Sequence, residues 1–276
     1  MQFETLASGF GLVEGPRADG EGNLYFSDVP NGGVRRLAPD GEVTVVIPKR
    51  RGVGGIALHA DGGLVVSGRN VQHVRDGEAR ILHEDPTVGG FNDLFVDAQG
   101  RVLVGCLRDD PFDESLTERR PGELYRIAGE GEAEMLYGDV GLSNGIGFSP
   151  AGDRLYHSDS AGPHLIVHDV ADDGSVSNRR HLPAPGLPDG LAVDAEGGIW
   201  VALARAGAVR RYSPDGEVLE ELRPPADFVT SVVFGGDDRR DLYIVTADNT
   251  EAPERGGTVF RTRVGVAGLP PPLARV

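Results

Sequence analysis

Two groups of residues in this chain could do chemistry, and they point to different reactions. Gly141-Leu142-Ser143-Asn144-Gly145 spells the Gly-x-Ser-x-Gly pattern of a serine nucleophile. That pattern works where a strand runs into a helix with a His and an acid in support, whereas here it runs on into a strand-like segment. The second group is Glu14, Asn92, Asn144 and Asp189, in the short runs "EGP", "ND", "SNG" and "PDG". Two carboxylates and two amide oxygens, with no thiolate or imidazole, make a hard donor set that suits one divalent metal. Ca²⁺ fits best, with Mg²⁺, Mn²⁺ or Zn²⁺ as the other candidates. Such a set acts only if the fold brings distant residues to one place.

A repeat supplies the elements that could do so. The copies are "EGPRADGEGNLYFSD", "GGIALHADGGLVVSG", "NDLFVDAQGRVLVG", "NGIGFSPAGDRLYHSD", "DGLAVDAEGGIWVA" and "TSVVFGGDDRRDLYIVT". Each reads as strand, tight turn, strand, with apolar and β-branched arms around pairs such as Asp-Gly and Glu-Gly that supply positive φ. A second hairpin follows most copies, as in "VRRLAPDGEVTVV" and "VRRYSPDGEVLEEL". The starts lie 40, 38, 52, 45 and 41 residues apart, near the period of a four-stranded propeller blade. The sequence therefore predicts an all-β fold, a six-bladed β-propeller with four-stranded blades, as a single domain over residues 1–276. The sixth copy is followed by one clear strand near "GTVFRTRV". The N-terminal "QFETLA" is expected to complete that blade and close the ring.

In a propeller the innermost strands surround a central channel, so the first positions of the copies converge: Glu14, Gly54, Asn92, Asn144, Asp189 and Thr230. Gly54 brings no donor and leaves room for water or substrate. The same alignment gives the start of the fourth inner strand to Asn144, which makes the Ser143 match coincidental.

Net charge is −16, from 43 acidic and 27 basic residues. That balance opposes nucleic acid and anionic membrane surfaces as partners and leaves a small molecule as the expected one. No apolar run approaches the roughly 18 residues of a membrane span, and "MQFETLASGF" has no signal-peptide pattern, so a cytoplasmic location is expected. The single cysteine, Cys106, can neither form an internal disulfide nor build a thiolate metal site, and reads as a small buried residue. None of the seven histidines is spaced as a metal pair, and His157 and His164 read as structural.

These runs resemble the senescence marker protein (SMP-30)/gluconolactonase/luciferin-regenerating-enzyme-like family, which includes regucalcin and gluconolactonases and, more distantly, diisopropyl fluorophosphatase. The resemblance rests on "EGP" at Glu14, "ND" at Asn92 and Asp93, "SNG" around Asn144 and "LPDGLAVDAEGGIWVA" from Leu187 to Ala202. It implies that Glu14, Asn144 and Asp189 hold a divalent metal, usually calcium, in the channel. It implies that Asn92 binds metal or substrate, and that Asp189 is also the general base or nucleophile. Sugar-lactone members often have Arg two residues before the Asn of "ND", where this chain has Gly90. That departure, with Phe91 and Phe112 nearby, predicts a less hydroxylated substrate than an aldonolactone. An acidic substrate contact of some members is matched only by position, at Asp110.

Loops after second strands should rim the channel mouth, placing Asp28, Arg69 with Asn70, Asp110 and Asp159 there. Arg69 could replace the missing arginine. The insertion "RDDPFDESLTERRP", residues 108 to 121, would form a partial lid. The expected activity is metal-dependent hydrolysis of a lactone or related ester, with the cation polarising the carbonyl and Asp189 as general base. The alternatives are a phosphotriesterase or fluorophosphatase with Asp189 as nucleophile, and a non-catalytic propeller that binds calcium or a small molecule.

Overall fold

The computed structural model describes residues 2–110, 113 and 115–276. Six sheets follow one another along the chain: four are built from consecutive strands in order, and the other two each add one strand from a chain terminus. Blade 1 comprises Val13–Ala18, Leu24–Asp28, Val34–Leu37 and Val43–Ile47. The inner strands of blades 2 to 6 are Ile56–His59, Gly90–Val96, Ser143–Phe148, Pro188–Val193 and Val229–Gly235. Each inner strand neighbours the next, and the sixth neighbours the first. The ring is thus a six-bladed β-propeller. Its last sheet runs in the order Glu4–Phe10, Gly257–Arg263, Asp241–Thr246, Val229–Gly235, so the N-terminal segment is the outer strand that closes the circle.

The hairpins form where the residue pairs predict them. Gly22, Gly100 and Gly197 adopt φ of 85°, 82° and 87°, a region that costs a side chain but not glycine. An aspartate begins each of these turns: Asp19 accepts from Glu21 N and Asn23 N, Asp97 from Gln99 N and Arg101 N, and Asp194 from Glu196 N and Gly198 N.

Six apolar clusters form the core, one at each junction between blades. Because both faces of a blade are covered by its neighbours, a middle strand such as Ile199–Leu203 is buried at every position. The outer strand Val218–Leu222 is mostly exposed.

The C-terminal tail has no counterpart in the repeat. Ala267 O accepts from Ala195 N in blade 5, and Leu273–Ala274 pair in parallel with Leu58–His59 of blade 2. Arg275 N donates to Gly100 O of blade 3. The tail therefore crosses the turn side of the ring, opposite the ends where the inner strands begin. A cavity of about 580 Å³ lies there, lined by Arg17, Phe95, Phe148, Leu191, Phe234 and the tail residues Leu269–Pro272, among others. None of the four chemistry-bearing residues lines it.

Candidate active site

Glu14, Asn92, Asn144 and Asp189 each lie at the start of an inner strand, and the strand register is irregular at each of them. The shifts fall between Glu14 and Arg17, Phe91 and Leu94, Ser143 and Ile146, and Pro188 and Leu191. A bulge re-aims the side chain beside it. The inner strand of blade 2, which Gly54 precedes and which brings no donor, pairs without a shift.

The structure brings the four side chains together. Asn92 Nδ2 donates to Asn144 Oδ1 at 2.6 Å and to Ser143 O at 2.8 Å. The Asn92 amide oxygen occupies the place where a side chain at residue 54 would begin, which is why glycine is needed there. Asn144 Nδ2 donates to Ser160 Oγ at 2.7 Å, and that hydroxyl donates to Pro188 O at 2.6 Å, one residue before Asp189. Thr230, the sixth position, is fully buried and donates to Val13 O, joining blade 6 to blade 1.

The two carboxylates lie close enough to repel each other. Burial, then the charge of Asp189, then that of Asp93 push the Glu14 carboxyl well above the usual range. Burial and then Asp93 push Asp189 up in the same way. Neither acid makes a salt bridge among the described residues, and no three His, Cys, Asp or Glu side chains gather there to hold a metal by themselves. Two uncompensated carboxylates beside two amide oxygens fit one hard divalent cation, completed by water or substrate.

Behind the ring stands a buried pair that motif reading passes over. Arg17 Nη2 lies 3.5 Å from Asp93 and donates to Leu94 O at 2.7 Å. Its only sequence signal is position, Arg17 following "EGP" and Asp93 completing "ND".

Ser143 is also better connected than its motif requires. Its Oγ lies 2.7 Å from His157 Nε2, and His157 Nδ1 lies 2.9 Å from the Tyr137 hydroxyl. Both Ser143 and His157 are fully buried, and a side chain at Gly105 would overlap the serine oxygen. Alternation along the strand turns Ser143 away from the channel that Asn144 faces, so this chain braces blade 4 and is closed to substrate. Burial pulls the His157 pKa down to about 3. An unfolded histidine titrates near 6.5, so stability from His157 is complete above about pH 6.5 and is lost as pH falls toward 3. In urea titrations, His157→Gln is expected to flatten the fall in stability over that window. An unchanged slope would assign the acid sensitivity elsewhere.

The remaining candidates divide. Phe91 is 2% exposed and packs edge-on against His83 and Tyr125 in the core between blades 2 and 3. It corrects the expectation of a substrate contact, since in the strand its ring points opposite to Asn92. The reading of a less hydroxylated substrate loses that wall. Phe112 lies outside the described residues. Arg69 is exposed, and its guanidinium braces the next loop, donating to Val88 O at 2.6 Å and Pro86 O at 3.5 Å. Asp110 is exposed on the insertion, and its carbonyl accepts from Arg119 Nη1. The described part of that insertion is laced by Arg108–Glu123 and Arg120–Asp109 pairs and lies beside Gly141 and Leu142, at the site face.

Asp28 and Asp159 hold loops: Asp28 accepts from Gly11 N and Asn31 Nδ2, and Asp159 from Gly141 N and Leu142 N. His164 stacks on His181 with ring centroids 4.0 Å apart. Cys106 is fully buried, and burial with the Glu123 contact pushes its thiol up to about 12, which makes it unreactive.

A six-bladed propeller with acids and amides converging at one mouth of its channel defines a class of site in which the repeat itself supplies the converging residues. The chain belongs to the SMP-30/gluconolactonase/LRE-like family, whose profile matches residues 12–248. It is 37% identical to the 6-deoxy-6-sulfogluconolactonase of Pseudomonas putida, over 91% of this chain and 90% of that one. It is 31% identical to Xenopus laevis regucalcin over 91% and 90% of the two chains. Among solved structures, the calcium-binding protein regucalcin from Agrobacterium tumefaciens superposes with a TM-score of 0.85 at 23% identity, covering 99% of this chain and 97% of that one. That last likeness is one of fold.

Proposed function

We propose that the protein is a lactonase that uses one divalent cation, Ca²⁺ by preference, held by Glu14, Asn144 and Asp189, with Asn92 as a further metal or substrate contact. The observation that carries this reading is the pair of half-buried to buried carboxylates, Glu14 and Asp189, with no counter-charge and two carboxamides beside them. The 6-deoxy-6-sulfogluconolactonase of P. putida and the pentonolactonase of Haloferax volcanii, 30% identical over 91% of this chain, support a sugar-acid lactone as substrate. When bound, the cation supplies polarisation of the ester carbonyl and offsets negative charge in the transition state.

The chain's own residues supply the rest. Asp189 takes a proton from the attacking water as its oxygen adds to the lactone carbonyl carbon. It returns that proton to the ring oxygen as the carbonyl carbon–ring oxygen bond breaks, leaving an open hydroxy acid. Burial and then the charge of Asp93 raise the basicity of Asp189, which suits it to accept that proton. Asn92, oriented by Ser143 O and Asn144, fixes one side of the mouth.

The test is the initial rate of proton release from sugar and aliphatic lactones on protein stripped of metal and then resupplied with single cations. Stripping is expected to lower turnover at least about 100-fold, with Ca²⁺ restoring it. Undiminished turnover in the stripped protein would sink the metal role. Silence toward every lactone with cation bound would sink the lactonase reading.

A further inference from the structure

In a chain with a net charge of −16, most arginines face a carboxylate, as Arg101 does Asp97 at 2.6 Å and Arg211 does Asp194 at 2.7 Å. Among the cations without such a partner, four fall together at the site face. Lys49, Arg50 and Arg51 lie in the loop that enters blade 2, and Arg69 lies in the loop leaving its second strand. None of the four makes an ion pair among the described residues.

Arg50 is the most committed of them. It is half-buried, and its guanidinium donates from Nε to Ser67 O at 3.0 Å and from Nη1 to Gln72 Oε1 at 2.9 Å. Nη2 donates to Asn70 O at 2.7 Å and Asn70 Oδ1 at 2.9 Å. Every acceptor is neutral. These four bonds fix the plane of a group with five N–H donors, leave one Nη1 hydrogen, and leave the positive charge uncompensated. An arginine stays protonated even so.

The position ties this charge to the site. Ser67 and Asn70 bracket Gly68, and Gly68 exchanges both backbone hydrogen bonds with Phe91, the residue before Asn92. A side chain begun at Gly90 would meet only the Gly68 backbone, its nearest atom the carbonyl oxygen at 3.1 Å. Gly90 is buried and a side chain there would press on that carbonyl, so the position where sugar-lactone relatives often carry an arginine is closed, while Arg50 Nη2 lies 3.6 Å from where a side chain at Gly68 would begin. Two acids of neighbouring loops have partners elsewhere: Asp85 accepts from Thr87 N and Oγ1, and Asp28 lies 3.5 Å from Arg35.

We propose that this rim of blade 2 selects lactones carrying a negative charge on the substituent outside the ring, a carboxylate or a sulfonate, with Arg50 as the specificity-determining residue. Lys49, Arg51 and Arg69 add a surrounding positive field. The inference rests on the lactonase reading and narrows its substrate class. It also explains how a site lacking the arginine at position 90 holds a sugar acid: a charge-assisted contact to the distal anion replaces hydrogen bonds to hydroxyls.

The test compares D-glucaro-1,4-lactone with D-glucono-1,4-lactone, which differ in having a carboxylate or a hydroxymethyl group at the far end. With the cation-loaded protein at low ionic strength, kcat/KM is expected to favour the anionic lactone by about tenfold. Raising NaCl to about 0.5 M should erase most of that preference, because added salt screens exposed charges. Arg50→Gln is expected to cut the anionic-to-neutral ratio about tenfold. If that variant does not fold, the salt series on the unmodified protein and Arg51→Gln carry the test. A ratio at or below one at every salt concentration overturns the inference, as does a folded Arg50→Gln that keeps the ratio.

If neither lactone is turned over, the lactonase reading fails, and the anion site is tested alone by calorimetry with 3-hydroxypropane-1-sulfonate. Binding weakened about tenfold by Arg50→Gln supports the site. Absence of binding overturns it.

Discussion

Asp189→Asn is expected to lower kcat by about 10³-fold at saturating cation while the protein remains folded and still binds metal. Asparagine keeps a carboxamide oxygen at the same place, so a hard donor survives, but it cannot accept the proton that the attacking water must lose. The comparison that separates the two roles is Glu14→Gln. Glu14 is assigned to cation binding alone, so its variant should need much more cation for half-maximal rate and recover a large part of kcat once saturated. Rates measured across a cation titration for both variants distinguish a base from a ligand. If Asp189→Asn recovers like Glu14→Gln, the proton acceptor lies elsewhere.

The second large effect is expected from Arg17→Leu. Arg17 and Asp93 are 9% and 6% exposed, and Asp93 lies close enough to raise the pKa of both Glu14 and Asp189. Removing one partner of a buried pair leaves an uncompensated charge and costs about 3–5 kcal/mol. For a chain of this size that corresponds to a fall in melting temperature on the order of 10 °C. The third carboxylate would then stand unneutralised directly behind the first two. The double variant Arg17→Leu/Asp93→Asn should regain much of the loss, because no ion remains to be solvated. Melting curves of the four proteins in the cycle measure this, and a single variant that melts within about 2 °C of the parent would show that the pair carries little.

Much of the fold is legible because a propeller is a repeat, and a repeat declares itself without any knowledge of its contacts. The aspartate and glycine residues of the turns announce the hairpins, and the odd strand after the sixth copy requires closure from the N-terminus. The same register puts Glu14, Asn92, Asn144 and Asp189 at equivalent positions. Side-chain direction is where register alone misleads. Phe91 neighbours Asn92 in sequence and suggests a channel wall, yet period-two alternation sends its ring into the core between blades 2 and 3. Arg69 has the right loop and the right charge, yet its guanidinium is spent on the backbone carbonyls of residues 86 and 88. Arg50, three residues beyond the last strand of blade 1, shows no motif at all.

The sequence by itself determined the six blades, the strand that closes them and the four side chains gathered at one channel mouth, because equivalent positions of a repeat converge once the repeat closes into a ring. Tertiary structure alone decided which neighbours those side chains meet. The buried Arg17–Asp93 pair, the sealed Ser143–His157–Tyr137 chain, the tail crossing the turn side and the unpaired Arg50 all depend on contacts between residues far apart in the chain. Contacts of that kind follow from packing between blades, which no local spacing records.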